Sequence, residues 1–231
     1  MGAAILSRSC GKWYICFSVE TPDTYGPHPL RAVVGIDVGL TSLIATSNGD
    51  TEPTPKWVKI ASKKQRRLQR ALARCKRGSK RRLKAKRNLA RHSARVANQR
   101  RDFTHKLSHT LVGQYSHIAF EDLNITGLAR GMLAKSVLNA AWGQLISFTD
   151  YKAANAGGRT AKVNPRGTSQ ECDGCGMVTP KTLNDRIHHC PGCGTVEDRD
   201  VHAAKVIKHR AFPWSKGSGA GLGASSMRGA A

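Results

Sequence analysis

Apolar positions fall in short runs near both ends of the chain and shift to a helical period in between. Residues 12–20 (Lys-Trp-Tyr-Ile-Cys-Phe-Ser-Val-Glu) are rich in β-branched and aromatic side chains and partly alternate, which predicts a strand. Pro22, Gly26, Pro27 and Pro29 mark residues 21–31 as a linker. Residues 33–39 form a short apolar strand interrupted by one acid, Asp37. Residues 42–47 and 57–60 are expected as its antiparallel partners, with Asn48-Gly49 as a hairpin turn. From about residue 62 to 112 the period becomes helical. Leu68, Leu72 and Cys75 give one stripe and Phe103, Leu107 and Leu111 another, and Gly78-Ser79 divides the segment into two antiparallel helices. Residues 116–121 predict a second strand ending in an acid. Residues 132–151 predict an amphipathic helix with Leu138, Trp142, Leu145 and Phe148 on its core face, closed by Gly157-Gly158. A strand over 160–164 and a helix over 201–210 follow, and the Gly-, Ala- and Ser-rich tail from Pro213 onward is expected to be disordered.

Charge changes this picture most in the helical middle. The 231 residues hold 38 Lys plus Arg against 15 Asp plus Glu, a formal net charge of +23. Between Lys63 and Lys106 lie 19 of those basic residues and one acid, Asp102. A merely solvated helical face mixes signs, and this one does not. The expected phosphate-contacting set is Lys63, Lys64, Arg66, Arg67, Arg70, Arg74, Lys76, Arg77, Lys80, Arg81, Arg82, Lys84, Lys86, Arg87, Arg91 and Arg95. A polyanion is the expected partner, nucleic acid rather than a membrane surface or a small-molecule substrate. No apolar run has bilayer-spanning length, and the first residues do not pair a charged region with an apolar one. A soluble protein kept in its compartment of synthesis is expected.

Seven cysteines argue against a disulfide framework and for a reducing cytoplasm. Cys10, Cys16 and Cys75 show no metal spacing and read as free thiols. Cys172-Asp173-Gly174-Cys175 and Cys190-Pro191-Gly192-Cys193 are two CxxC knuckles separated by fourteen residues. Each such turn aims two sulfurs at one point, so the pair suits one tetrahedral Zn²⁺. Gly174, Gly176, Gly192 and Gly194 suit the tight turns. Four sulfurs leave no open position for substrate, which makes the ion structural.

Asp37, Glu121 and Asp200 each end or follow a predicted strand or begin a helix. An acid in an apolar strand is costly unless a partner neutralises it. Two Mg²⁺ or Mn²⁺ ions would do so, and such a pair can activate water and stabilise a leaving oxygen in phosphodiester hydrolysis. Helix caps or surface charges are the alternative reading of the same residues. Gly35 and Gly39 keep the first strand slim around Asp37, consistent with close approach of another backbone.

Residues 35–39 (Gly-Ile-Asp-Val-Gly), 120–123 (Phe-Glu-Asp-Leu), 168–176 (Thr-Ser-Gln-Glu-Cys-Asp-Gly-Cys-Gly) and 198–204 (Asp-Arg-Asp-Val-His-Ala-Ala) occur in that order. Together with residues 103–108 and 141–145 they resemble the C-terminal half of the transposon-encoded OrfB/TnpB proteins, relatives of the type V CRISPR effector nucleases. The resemblance runs from about Gly11 to Arg210. It implies an α/β, RNase H-like core of the RuvC type with an inserted basic helical hairpin and a four-cysteine zinc ribbon. It also implies a guide RNA from the element's end and cleavage of DNA beside a short adjacent motif, in a cytoplasmic, nucleoid-associated setting. Asp37 and Glu121 match the first and second catalytic acids and Asp200 the third, with Asp198 as the fallback. Cys172, Cys175, Cys190 and Cys193 match the ribbon ligands.

The implied layout is a remnant strand and linker over 1–31, RuvC-like parts over 32–61, 113–167 and 198–211, the hairpin over 62–112, the ribbon over 168–197 and a tail over 212–231. Two departures stand out. His202 occupies a place where the family usually has Asn, which puts the metal geometry at that corner in question. Full-length relatives also carry a substantial N-terminal part, so a truncated reading frame is expected, with the strand over 12–19 left without sheet partners and its apolar edge exposed. A metal-dependent endonuclease is the expected function; a catalytically idle nucleic-acid-binding remnant is the alternative. A ribosome-associated zinc-ribbon protein would leave the acids in apolar strands without a purpose.

Overall fold

A computed structural model describes residues 3–20, 32–128, 130–131, 140–182 and 185–217. The chain divides into two compact units, residues 1–24 with 55–106 and residues 25–54 with 107–231.

The larger unit is built on a five-stranded mixed sheet. Strands β3 (Val33–Val38), β4 (Ser42–Thr46) and β5 (Thr51–Pro53) form an antiparallel meander, while β6 (His117–Glu121) and β7 (Arg159–Val163) run parallel to β3, giving the order β5-β4-β3-β6-β7. Val34, Ile36, Leu43, Ile44, Ile118 and Phe120 are buried, because strands in the middle of this sheet are covered on both faces and therefore read as apolar runs. After a short helix, α3 (Ile125–Leu128), helix α4 (Trp142–Asn155) buries Leu145 and Ile146, and Gly157 closes its end in the left-handed region at φ 74°. Helix α5 (Arg199–Ala211) lies against β3 and its neighbours, burying Ala203, Ala204, Val206 and Ile207.

Gly35 decides how close α5 comes. A Cβ built there would stand 1.9 Å from the Ala204 carbonyl oxygen and 2.6 Å from the Lys208 nitrogen. Helix backbone thus rests directly on strand backbone, and only glycine permits it. The close approach expected at this position is the approach of α5.

The smaller unit holds two helices, α1 (Lys56–Ala73) and α2 (Lys80–Gln114), the second continuing into the larger unit. Half-buried positions repeat at heptad spacing: Gln65, Leu68, Leu72 and Cys75 on one side, Arg82, Ala85, Leu89, His92 and Val96 on the other. Arg82 donates to the Leu72 and Cys75 carbonyls at 3.1 and 3.2 Å, and a His92 ring nitrogen lies 3.0 Å from the Ala61 carbonyl. That register makes the two helices antiparallel, and Gly78, at φ 79°, sits in the turn between them. Further along α2, Leu107 and Leu111 are buried.

Several expectations need correction. Residues 57–60 belong to α1 rather than to a strand; β4 instead pairs with β5 across the Asn48-Gly49 turn. Pro55 is the N-cap of α1 and cannot continue a ladder, so a short apolar run that fits either period becomes helix. The strand over 12–19 is β2 (Lys12–Phe17), and it is not without a partner. It pairs with β1 (Ala4–Ser9) through a turn at Cys10-Gly11 with φ of 51° and 80°. Both strands nevertheless stay exposed, Ile5, Leu6, Trp13 and Phe17 among them. In the segment expected to be disordered, Pro213–Gly217 forms a helical turn, with the Trp214 ring edge-on to His117 at 5.5 Å. Residues 21–31, 132–139 (with Leu138) and 218–231 lie outside the described residues.

Candidate metal centres and nucleic-acid surface

Parallel pairing of β3 with β6 places Ile36 opposite Phe120, so Asp37 and Glu121 stand side by side at the C-terminal ends of adjacent strands. In open α/β sheets this is the edge at which ligands bind. Asp200 comes from the first turn of α5, the helix seated on Gly35. The Asp37 carboxyl is pushed up to about 7, first by removal from water and then by the charges of Glu121 and Asp200; Arg199 and the Val38 N–H oppose this. Burial likewise raises Glu121, against the Thr168 hydroxyl and the charge of Arg210. Three acids from distant stretches therefore share one electrostatic neighbourhood. Their oxygens do not all fall within 4.8 Å of one another.

Neighbouring side chains mark which acid is engaged elsewhere. The Asp198 carboxylate caps α5, accepting from the Asp200 and Val201 N–H groups at 2.9 and 3.1 Å. Asp200 instead accepts from Arg199 Nε and Nη2, each at 3.1 Å. The Thr168 hydroxyl donates to Glu121, a contact 47 residues apart in sequence that no local pattern announces.

The ribbon follows from two matching turns. Gly176 N–H donates to the Cys172 carbonyl at 2.8 Å and Gly194 N–H to the Cys190 carbonyl at 2.9 Å, with φ of 77° and 74° at the two glycines. Strands β8 (Ile187–His189) and β9 (Val196–Asp198) pair antiparallel beside the second knuckle. All four sulfurs lie within 4.8 Å of one another, Cys172 being 3.5 Å from Cys193 and Cys175 3.5 Å from Cys190. Hydrogen bonds from Thr195 bring the Cys193 thiol down to about 6. Despite the Met177 N–H, the Cys175 thiol is pushed up to about 12 through its hydrogen bond with Cys190. Thiolates crowded in this way fit a soft or borderline cation at their centre.

Among the described residues a second group, Cys172, His188 and His202, also falls within 4.8 Å. Its geometry does not suit an ion. The two imidazoles are stacked, centroids 3.5 Å apart and planes 12° from parallel, whereas a metal must lie in the plane of each ring it binds. Lys181 donates to His188 Nδ1, which leaves the ring proton on Nε2. His202 is fully buried and faces the ribbon.

The basic residues lie in the smaller unit. Lys63, Arg66, Arg67, Arg70 and Arg74 share one face of α1 and line an open groove of about 540 Å³. Lys64, Lys76, Arg77, Lys80, Arg81, Lys84, Lys86, Arg87, Arg91 and Arg95 are also exposed. Arg82 is the exception, half-buried and engaged with the α1 carbonyls. No helix among the described residues is long and apolar enough to cross a membrane.

The OrfB_IS605 family, described as a probable transposase, matches residues 15–132, and the Cas12f1-like TNB domain matches residues 142–207. Two curated relatives carry the name "Putative RNA-guided DNA endonuclease". The one from Streptomyces pristinaespiralis is 39% identical over 85% of this chain and 49% of its own length. The other, InsQ of Escherichia coli K12, is 32% identical over 87% of this chain and 54% of its own. A solved complex of Cas12f1 with sgRNA and target DNA superposes with a TM-score of 0.56 at 18% identity, covering 88% of this chain and 55% of that one, which supports the α/β fold. The chain spans about half the length of the curated relatives it matches. By these matches it belongs to the OrfB_IS605 family of TnpB-like proteins.

Proposed function

We propose that this chain carries the catalytic core of a metal-dependent DNA endonuclease of a transposable element, guided by RNA. The observation that carries the reading is the cluster of desolvated acids at the edge of β3 and β6, facing the first turn of α5. Asp37, Glu121 and Asp200 would hold Mg²⁺ or Mn²⁺. The donors are hard oxygens, and removal from water together with the charges of Glu121 and Asp200 raises the Asp37 carboxyl to about 7, a site that a divalent cation would suit. When bound, such ions supply Lewis acidity toward the attacked phosphate and charge stabilisation for the leaving oxygen. The chain's own residues set the frame: Thr168 orients Glu121, Asp198 caps the helix that presents Asp200, and Arg199 pairs with Asp200.

An RNase H-like core of the RuvC type is supported by the strand order β5-β4-β3-β6-β7, an antiparallel meander followed by two parallel strands. A single structural Zn²⁺ held by Cys172, Cys175, Cys190 and Cys193 would fix the ribbon. The exposed cations of α1 and α2 would hold backbone phosphates of a guide RNA, a guide–target duplex or a displaced strand without reading sequence.

A binding-only protein would use the same cationic faces without the acids. Purified protein with Mn²⁺ and single-stranded DNA separates the two readings. Asp37→Ala should abolish cleavage and leave DNA affinity unchanged. Wild-type protein that binds DNA but never cuts it, or a variant that cuts as well as wild type, would overturn the nuclease reading.

A further inference from the structure

Helix α5 is held on its side away from the sheet by residues at helical spacing. His202 Nδ1 pairs with Glu197, whose second oxygen takes Lys205, and His209 pairs with the Asp173 carboxylate. Positions 202, 205 and 209 share one helix face, the face turned to the ribbon. Asp173 lies inside the first knuckle, between Cys172 and Cys175. Its backbone N–H points at His202 Nε2, 3.1 Å away. Because Nε2 accepts this bond, the ring proton stays on Nδ1 and is directed at Glu197. The Glu171 carbonyl lies 3.1 Å from the same Nε2, so the ring sits against the knuckle's entry as well. His202 is wholly buried, stacked on His188 of the second half of the ribbon, and two residues beyond Asp200.

We propose that His202 is a positioning residue: it fixes the first turn of α5, and with it Asp200, to the zinc knuckle by accepting the Asp173 N–H. The knuckle amide is held where it is by the turn that the cysteines would close around a bound Zn²⁺. Order at the ribbon then passes through one ring to the helix start. The structural ion thereby governs how well the carboxylate cluster is assembled, although it takes no part in hydrolysis. Its effect on metal binding at the acids rests on the reading of that cluster proposed above.

Three substitutions in the full chain separate this role from plain packing. In His202→Gln the amide oxygen can reach the place of Nε2. In His202→Asn it reaches only the place of Nδ1. His202→Leu keeps bulk and accepts nothing. All three should retain one zinc per chain by metal analysis. Hydrogen exchange of the peptide spanning residues 198–204 is the first readout. With zinc bound, the Leu and Asn variants should exchange there as fast as the wild type does after zinc chelation, and the Gln variant should keep wild-type protection. Direct Mn²⁺ titration by EPR is the second: Leu and Asn should bind about 10–100-fold more weakly, as when an outer-shell partner of a metal ligand is lost, with Gln recovering most of the difference. Wild-type protection in the Leu variant, or equal loss in Gln and Leu, would overturn the proposal. If wild-type protein binds no Mn²⁺, the nuclease reading fails, while the exchange data still judge the link between ribbon and helix.

Discussion

Along α1 and α2 the cations stand on exposed faces, with a half-buried seam at heptad spacing beneath them. Around Asp37 the charges are desolvated, few, and each tied to a named partner. In the first region charge is a density, and neighbouring side chains can stand in for one another. In the second it is an arrangement, and displacing one backbone by a fraction of its van der Waals radius disturbs every member. Substitutions should therefore fail steeply in one place and shallowly in the other.

After Asp37, replacing Asp200 should give the largest loss. Asp200→Ala is expected to lower Mn²⁺-dependent cleavage about 10³-fold, comparable to removing a main transition-state stabiliser. Asp198→Ala should retain cleavage and lose about 1 kcal/mol of unfolding free energy with the helix cap. If Asp198 proves the more damaging to rate at equal folded fraction, the assignment of the third acid is reversed.

Next comes Gly35→Ala, which drives a methyl group into the Ala204 carbonyl. A cost of about 3 kcal/mol in urea unfolding is expected, because backbone rather than a flexible side chain must move. Cleavage should fall further than the folded fraction does, since α5 carries Asp200.

Smaller is the pH dependence. The folded state raises Asp37 from 3.8 to about 7, so its contribution to stability is complete below about pH 4 and is lost as pH rises through 7. Glu121 shifts in the same direction. Without divalent ions, wild-type stability relative to Asp37→Asn should thus fall by about 2 kcal/mol across that window, half the full linkage value because the carboxyl keeps some access to water. Saturating Mg²⁺ should flatten the difference and release protons near neutral pH. A difference that rises with pH in the ion-free protein would contradict the cluster.

The shallow end is the basic hairpin. Arg66→Ala should reduce the salt slope of DNA binding by about one, change affinity only a few-fold, and leave stability within about 0.5 kcal/mol. Arg82→Ala should do the reverse, costing about 1–2 kcal/mol through the two carbonyls it caps while hardly altering the slope.

What was legible in the sequence was local. Asp37 within an apolar run, the four cysteines, the Gly78 break and the Leu107–Leu111 stripe each announce themselves within a few residues, and the structure bears out the elements they mark. Pairings made at a distance were not legible. Thr168 reaches Glu121 and Asp173 reaches His202 only after β6, β7 and α5 have come together. Arg82 looked like its basic neighbours because composition cannot tell an arginine that caps carbonyls from one that meets phosphate. For Asp198 a local signal did exist: an acid just ahead of a helical run is a common N-cap, which separates it from Asp200.

The order of the chain around Gly35 has a consequence for synthesis. The first acid is made 163 residues before the last, since Asp37 and Asp200 stand at those positions. The helix that brings the last one settles on a strand made long before. No nascent fragment ending short of that helix can bring the three carboxylates together, so on the proposed reading cutting ability would arise late in translation, after the segments bearing the cationic faces have been made.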